Sequence, residues 1–220
     1  MIRALVVAKA PVAGRAKTRL GAVIGDEAAA DLAAAALLDT LASCEAAFGG
    51  RCHLALAGDL TGAAREDEIR AALSSWHVFA QVGESFGARL AHAHLTMAGE
   101  SADPVVQVGM DTPQVTPAAL SATAGRLRPG GAVLGPALDS GWWLLALDRP
   151  VAAGVLAGVP MSTVRTGLDT RRALNRRGVR VATAPVLRDV DTLADAVAVA
   201  REAPGTRFAV AWAQLHVGVA

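Results

Sequence analysis

Apolar and polar positions along the chain fall into two alternating periods. Short stretches that are apolar almost throughout, Ala4 to Ala8, His53 to Ala57, Pro104 to Val108, Gly131 to Leu134 and Trp142 to Leu147, read as buried strands. His77 to Gln81 and Val179 to Ala182 read as shorter ones. Between them the apolar positions recur at helical spacing. Leu32, Ala36, Leu37 and Leu41 mark a helix over Asp26 to Ala47, stopped by Gly49 and Gly50. Further helices are expected over Ala64 to Leu73, around Arg89 and Leu90, from Pro117, through the arginine-rich segment ending at Gly178, and over Leu193 to Ala203. Pro150 to Pro160 reads as a surface segment, and Thr206 to Val217 is weakly helical with no evident place. Strands alternating with helices, without a repeat or a low-complexity linker, predict one α/β domain over residues 1–220 built on a mostly parallel, doubly wound sheet. Such sheets bind ligands at the carboxyl ends of their strands, which groups the loops after Ala8, Val108 and Leu134 on one edge.

Composition narrows the function classes. A formal charge of +1 and 53% hydrophobic residues suit a globular domain with a sizeable core, and argue against a nucleic-acid or membrane-surface binder. No apolar run approaches a membrane span, the run before Lys9 is too short for a signal peptide, and Cys44 and Cys52 lack metal-ligand spacing; a cytoplasmic protein is expected. The arginines between Arg165 and Arg180 read as a solvated helix face, and His92 and His94, two apart, lie on different faces.

The charge is unevenly placed. The chain holds two lysines against nineteen arginines, and both lysines, Lys9 and Lys17, fall with Arg15 and Arg19 in the loop after the first strand, ahead of the first acidic residue, Asp26. A compact ammonium suits phosphate oxygens, and Gly14 and a following helix start add backbone N–H groups, so the loop reads as a polyphosphate cradle without a Walker-type lysine loop. Asp111 directly follows the buried strand ending at Val108, where it can hold a divalent metal opposite that cradle. Asp189 and Asp191 alternate in an extended segment, so either can complete the metal site; Asp191-Thr192 reads equally as a helix N-cap. Asp139, in a Gly/Pro-rich loop before Trp142 and Trp143, suits a sugar or another flat acceptor, with one indole facing it.

Taken together these residues resemble the bacterial GT-A-type glycosyltransferase-like family that includes the enzyme assigned to arsenosugar biosynthesis, itself related to nucleotidyltransferases such as phospholactate guanylyltransferase. Its motifs are matched by Lys9, Pro11, Gly14, Lys17, Thr18, Arg19 and Leu20; by Gly109, Asp111 and Pro113; by Gly135, Pro136, Asp139 and Gly141; and by Asp189, Val190, Asp191 and Thr192. Gly87-Ala88-Arg89-Leu90 matches another. The chain departs at Ser140, Trp142 and Trp143, at Gly83-Glu84-Ser85 and at Met161, all expected on the donor or acceptor side of a cleft.

The resemblance implies a GT-A fold and a transferase that uses an activated nucleotide with Mg2+ or Mn2+ and a small-molecule acceptor. Lys9, Pro11, Gly14, Arg15, Lys17, Thr18, Arg19, Gly87 and Arg89 would bind the nucleotide, with Lys17, Arg19 and Arg15 neutralising the leaving group. Asp111 with Asp191 or Asp189 would hold the metal, and Asp139, Ser140, Gly141 and Trp142 would meet the acceptor, Asp139 orienting it or acting as its base. Glycosyl transfer leads on the resemblance, whereas the density of cations in the first loop favours nucleotidyl transfer with pyrophosphate release. A non-catalytic nucleotide-binding protein is the third reading.

Overall fold

In the computed structural model, residues 1–217 are described. Seven strands, β1 (Arg3–Lys9), β2 (Cys52–Ala57), β3 (His77–Ala80), β4 (Val105–Gly109), β5 (Ala132–Pro136), β6 (Trp142–Leu147) and β7 (Val181–Thr183), form one sheet in the order β3-β2-β1-β4-β6-β5-β7. All pairings are parallel except those of β6, which runs against both β4 and β5. The reversal follows from chain length. Only Ala137 to Gly141 separate β5 from β6, far short of the dozen or so residues that a parallel crossover needs. The hairpin therefore brings the start of β6, with its two tryptophans, to the edge where β1, β4 and β5 end.

Helices cover both faces. The helices are α1 (Thr18–Ile24), α2 (Asp26–Phe48), α3 (Glu66–Ala72), α4 (Phe86–Glu100), α5 (Pro117–Gly125), α6 (Thr166–Arg176), α7 (Leu193–Glu202) and α8 (Arg207–Val217). One face of the sheet packs Val6, Leu54, Val108 and Leu144 against Leu37, Leu41, Ile69 and Leu120 of α2, α3 and α5. The other packs Leu5, Val105, Leu145 and Leu147 against Leu90 and Met97 of α4, Leu174 of α6, and Leu156 of the segment between β6 and α6. β4 is buried from Val105 to Val108, as expected of a central strand covered on both sides.

Two segments differ from the sequence expectation. Pro150–Gly158 is a 3-10 helix rather than a loose surface stretch, with Pro150, Ala153 and Leu156 buried. It lies so close to α4 that a methyl group on Gly87 would overlap the Leu156 carbonyl oxygen. The unplaced tail is α8, which joins α2 and α7 in a third cluster around Leu32, Val199 and Phe208. The buried Asp39 carboxylate of α2 accepts the backbone N–H groups of Arg207 (3.0 Å) and Phe208 (2.9 Å), capping α8 from a distant element. Among the described residues no helix is long and apolar enough to cross a membrane.

Candidate active site

The first loop reaches the site through an unusual backbone. Lys17 precedes α1 in the left-handed region, at φ 48° and ψ 42°. Its side chain is thereby turned inward, with a relative exposure of 10%. Two of the four described non-glycine residues with positive φ, Lys17 and Ser162, line the same cleft, and a third, Ser140, is the chain neighbour of the wall residues Asp139 and Gly141; strained backbone collects in functional sites.

Facing Lys17 is a strap formed by residues 186–191, which crosses the carboxyl edge of the sheet. It is pinned at three points. Leu187 N–H donates to the Pro136 carbonyl and Leu138 N–H to that of Leu187; Gln114 donates to the Arg188 carbonyl; and Val190 N–H donates to the Asp111 carbonyl at 2.9 Å. The last bond sets Asp111 beside Asp191. The Lys17 ammonium then meets both carboxylates, Asp111 Oδ1 at 2.7 Å and Asp191 Oδ1 at 2.9 Å. Burial acts to lower the pKa of this ammonium, but the attraction of Asp111 and Asp191 outweighs it and the net shift is upward.

The N-cap alternative for Asp191 is resolved by its neighbour. Thr192 caps α7, its hydroxyl accepting from Asp195 N–H while the Asp195 carboxylate accepts from Thr192 N–H. Asp191 is left free for Lys17. Asp189 sits differently. Its Oδ1 is buried with no hydrogen-bond partner, and burial, reinforced by Asp139, Asp111 and Asp191, pushes its pKa up to about 7.

The cleft has two adjoining chambers. The larger, about 490 Å3, is walled by Lys9, Arg15, Lys17 and Arg19 from the first loop and by Asp191. The smaller, about 220 Å3, is walled by Phe86, Gln107, Thr112, Trp142, Met161 and Asp189. Asp111, Asp139, Ser162 and Thr163 border both. Asp139 holds its own turn, accepting Gly141 N–H at 2.7 Å. The tryptophans diverge as the strand period requires. Trp142 donates to the Thr170 hydroxyl and Trp143 to the Pro185 carbonyl, and both contribute to the wall of the smaller chamber.

Of the residues expected at the site, Lys9, Arg15, Lys17, Thr18, Arg19, Asp111, Asp139 and Asp191 line the larger chamber, while Gly141, Trp142 and Asp189 line the smaller. Others stand outside both walls. Pro11 instead accepts Ala64 N–H, Gly14 supplies a turn at φ 71°, and Ser140 accepts Gly167 N–H. Gly87 permits the close packing of α4 on the 3-10 helix, and the Arg89 guanidinium stacks 5.6 Å from the centre of the Phe86 ring. The structure does not join Gly87 and Arg89 to the cationic loop.

Met161 stands on the wall of the smaller chamber, as the sequence leads one to expect, whereas Phe86, Gln107 and Thr112 join that wall without a motif to announce them. One signal was present: Gln107 is the sole polar residue in the apolar run of β4, where it is 2% exposed and bonded to His94. Among the described residues no three His, Cys, Asp or Glu side chains group as a ready metal cage. Two carboxylates converging on one cation suit instead an ion such as Mg2+, which takes one or two protein carboxylates and completes its shell from substrate phosphates.

A family described as "Uncharacterized protein conserved in bacteria (DUF2064)" matches residues 40–163, more than half of the chain. The chain belongs to that family. Among curated proteins none matches its sequence. Among solved structures, a protein of Desulfovibrio desulfuricans G20 assigned provisionally as a nucleotide-diphospho-sugar transferase is 25% identical with a TM-score of 0.85, and the match covers 98% of this chain and 95% of that one. A nucleotidyl transferase of Methanothermobacter shares the fold at TM-score 0.55 and 20% identity, covering 90% of this chain and 95% of that one. So does a Mycobacterium tuberculosis protein solved in complex with manganese, at TM-score 0.50 and 23% identity over 90% and 97% of the two chains. The fold is that of the nucleotide-diphospho-sugar transferases, as the sequence resemblance implied.

Proposed function

We propose that this chain is a metal-dependent transferase of activated nucleotides, and that it moves a glycosyl group from a nucleotide-diphospho-sugar to a small acceptor. The observation that carries the reading is the division of one cleft into a chamber rich in cations and a chamber whose wall, among the described residues, has none, with Asp111 and Asp191 near the junction. A diphosphate has counter-charge on one side of that junction only, so the group it carries lies on the other.

Asp111 and Asp191 would hold a divalent cation, since their Oδ1 atoms already converge on one positive centre, the Lys17 ammonium. Bound there, Mg2+ or Mn2+ supplies Lewis-acid stabilisation of the departing diphosphate. The chain's own groups do the rest. Lys9, Arg15 and Arg19 bind phosphate oxygens, and Lys17 exchanges its carboxylate partners for phosphate. Asp139, on the wall common to both chambers, orients the acceptor hydroxyl and accepts its proton.

Nucleotidyl transfer is the second reading, favoured by the four cations of the larger chamber, which would suit a triphosphate. Product analysis separates the two. With Mn2+ and a panel of nucleotide sugars and nucleoside triphosphates, the leading reading predicts release of nucleoside diphosphate from one nucleotide sugar and no pyrophosphate. Pyrophosphate formed from a triphosphate in the presence of a phosphorylated acceptor would replace it with the second. Stabilisation by nucleotides without turnover of any would leave a binding protein.

A further inference from the structure

The smaller chamber carries chemistry of its own. Thr112 is 2% exposed and its hydroxyl has no hydrogen-bond partner, although the residue lines this chamber. The same is true of Asp189 Oδ1. Buried polar atoms left unpaired are costly, and two of them on one cavity wall mark where a ligand's polar groups belong. A third hydrogen-bonding group is fixed in orientation. Burial lowers the pKa of the His94 imidazole to about 4, so it is neutral, and its Nε2 donates to Gln107 Oε1 at 2.9 Å. That leaves the Gln107 amide N–H2 as the part of the side chain able to serve a ligand.

The walls also state what does not fit. Among the described residues, no Lys, Arg or His lines this chamber, whereas Asp111, Asp139 and Asp189 do. A phosphoryl or carboxylate group placed here would lose its water and meet three carboxylates with no cation on the wall itself, the Arg89 guanidinium that lies 5.6 Å from the centre of the Phe86 ring not being among the lining residues. The aromatic surface points the same way. Phe86 is 43% exposed at the wall, with the Arg89 guanidinium over one face of its ring, and Trp142 stands nearby, so apolar surface remains against which the C–H groups of a ring can lie. At about 220 Å3 the space is below the roughly 300–1,000 Å3 of sites for drug-sized ligands, which limits it to a single small ring or chain.

We infer that the smaller chamber binds an uncharged, polyhydroxylated group, a sugar ring or polyol, through Thr112, Gln107 and Asp189, and rejects phosphorylated counterparts. This deepens the glycosyl-transfer reading and rests on it.

The test begins with nucleoside diphosphate and Mn2+ binding to the full chain by calorimetry, which probes the larger chamber alone. The protein saturated in this way is then examined by saturation-transfer NMR against glucose, mannose, galactose and xylitol, and against glucose 6-phosphate, mannose 6-phosphate and glycerol 3-phosphate at equal concentration. At least one neutral probe should bind about tenfold or more tightly than every phosphorylated one. Thr112→Val should weaken that binding about tenfold with nucleotide affinity unchanged, and Thr112→Ser should restore it; a lost hydrogen bond to a buried ligand is of this size. Equal or tighter binding of the phosphorylated probes, no binding of any neutral probe, or an unaltered Thr112→Val variant would overturn the assignment. Those results with nucleotide binding intact would leave the transferase reading standing, whereas loss of nucleotide binding would remove both.

Discussion

Lys17 settles the charge balance of the cleft. Its ammonium is nearly buried between Asp111 and Asp191, both of which remain substantially accessible, at 40% and 44% of side-chain surface. Removing it leaves two carboxylates directed at one point with no cation between them. Lys17→Met is therefore expected to bind Mn2+ in the absence of nucleotide about tenfold or more tightly than the native chain, and nucleoside diphosphate more weakly. Titration followed by the electron-spin resonance of free Mn2+ checks the first and calorimetry the second; unchanged Mn2+ affinity would show that the lysine does not compete for the metal site. The sequence disclosed the residues here better than their contacts. Two lysines in one loop are plain in the sequence, and on their own they point to phosphate binding alone. The direct pairing depends on a left-handed backbone at a non-glycine residue, which propensity does not foresee.

At the scale of elements, the site is held by contacts between segments far apart in sequence. Gly87 has no Cβ to keep α4 from the 3-10 helix, and nothing larger fits against the Leu156 carbonyl. Gly87→Ala is expected to cost about 1–3 kcal/mol in urea unfolding, as overpacking does. Asp39→Ala removes the acceptor for two N–H groups at the start of α8 and is expected to cost about 1–3 kcal/mol in the same measurement, because those donors stay partly buried and unpaired. The central strands and α2 are legible because their apolar patterns are unbroken, and β3 and β7, mostly exposed, are so by their place between helices. The 3-10 helix and the place of α8 are not, since each is fixed by tertiary partners, the one by α4 and the other by α2. The same holds for Asp191: Thr192 and Asp195 complete a capping box, but only the fold shows that Asp191 is thereby released.

For the molecule as a whole, the sheet joins function to acid sensitivity. His94 is buried under the smaller chamber and stays neutral down to about pH 4 when folded, whereas an unfolded histidine takes up its proton near 6.5. The stability that depends on keeping it neutral is complete above about pH 6.5 and is lost progressively as pH falls toward 4. The depression corresponds to roughly 3 kcal/mol. Urea unfolding at pH 7 and pH 4.5 should show the native chain losing more stability on acidification than His94→Gln, which carries no titrating ring; equal losses would contradict the assignment. The mostly parallel class of the sheet is readable from the alternation of strands and helices, and the edge that carries the candidate site from the rule that such sheets bind at their carboxyl ends; the strand order and the reversal of β6 are not. The division of the cleft is not either, because the wall common to the two chambers is built from three distant stretches of chain, at Asp111, at Asp139 and at Ser162-Thr163.

Calorimetric titration of the native chain and Asp111→Asn with a nucleoside diphosphate, in the presence and absence of Mn2+, tests the arrangement most directly. The native chain should bind the nucleotide at least tenfold more tightly with Mn2+, and Asp111→Asn should lose that gain while retaining metal-free binding and an unchanged melting temperature. An Asp111→Asn variant that keeps the full effect of Mn2+ would contradict the site described here.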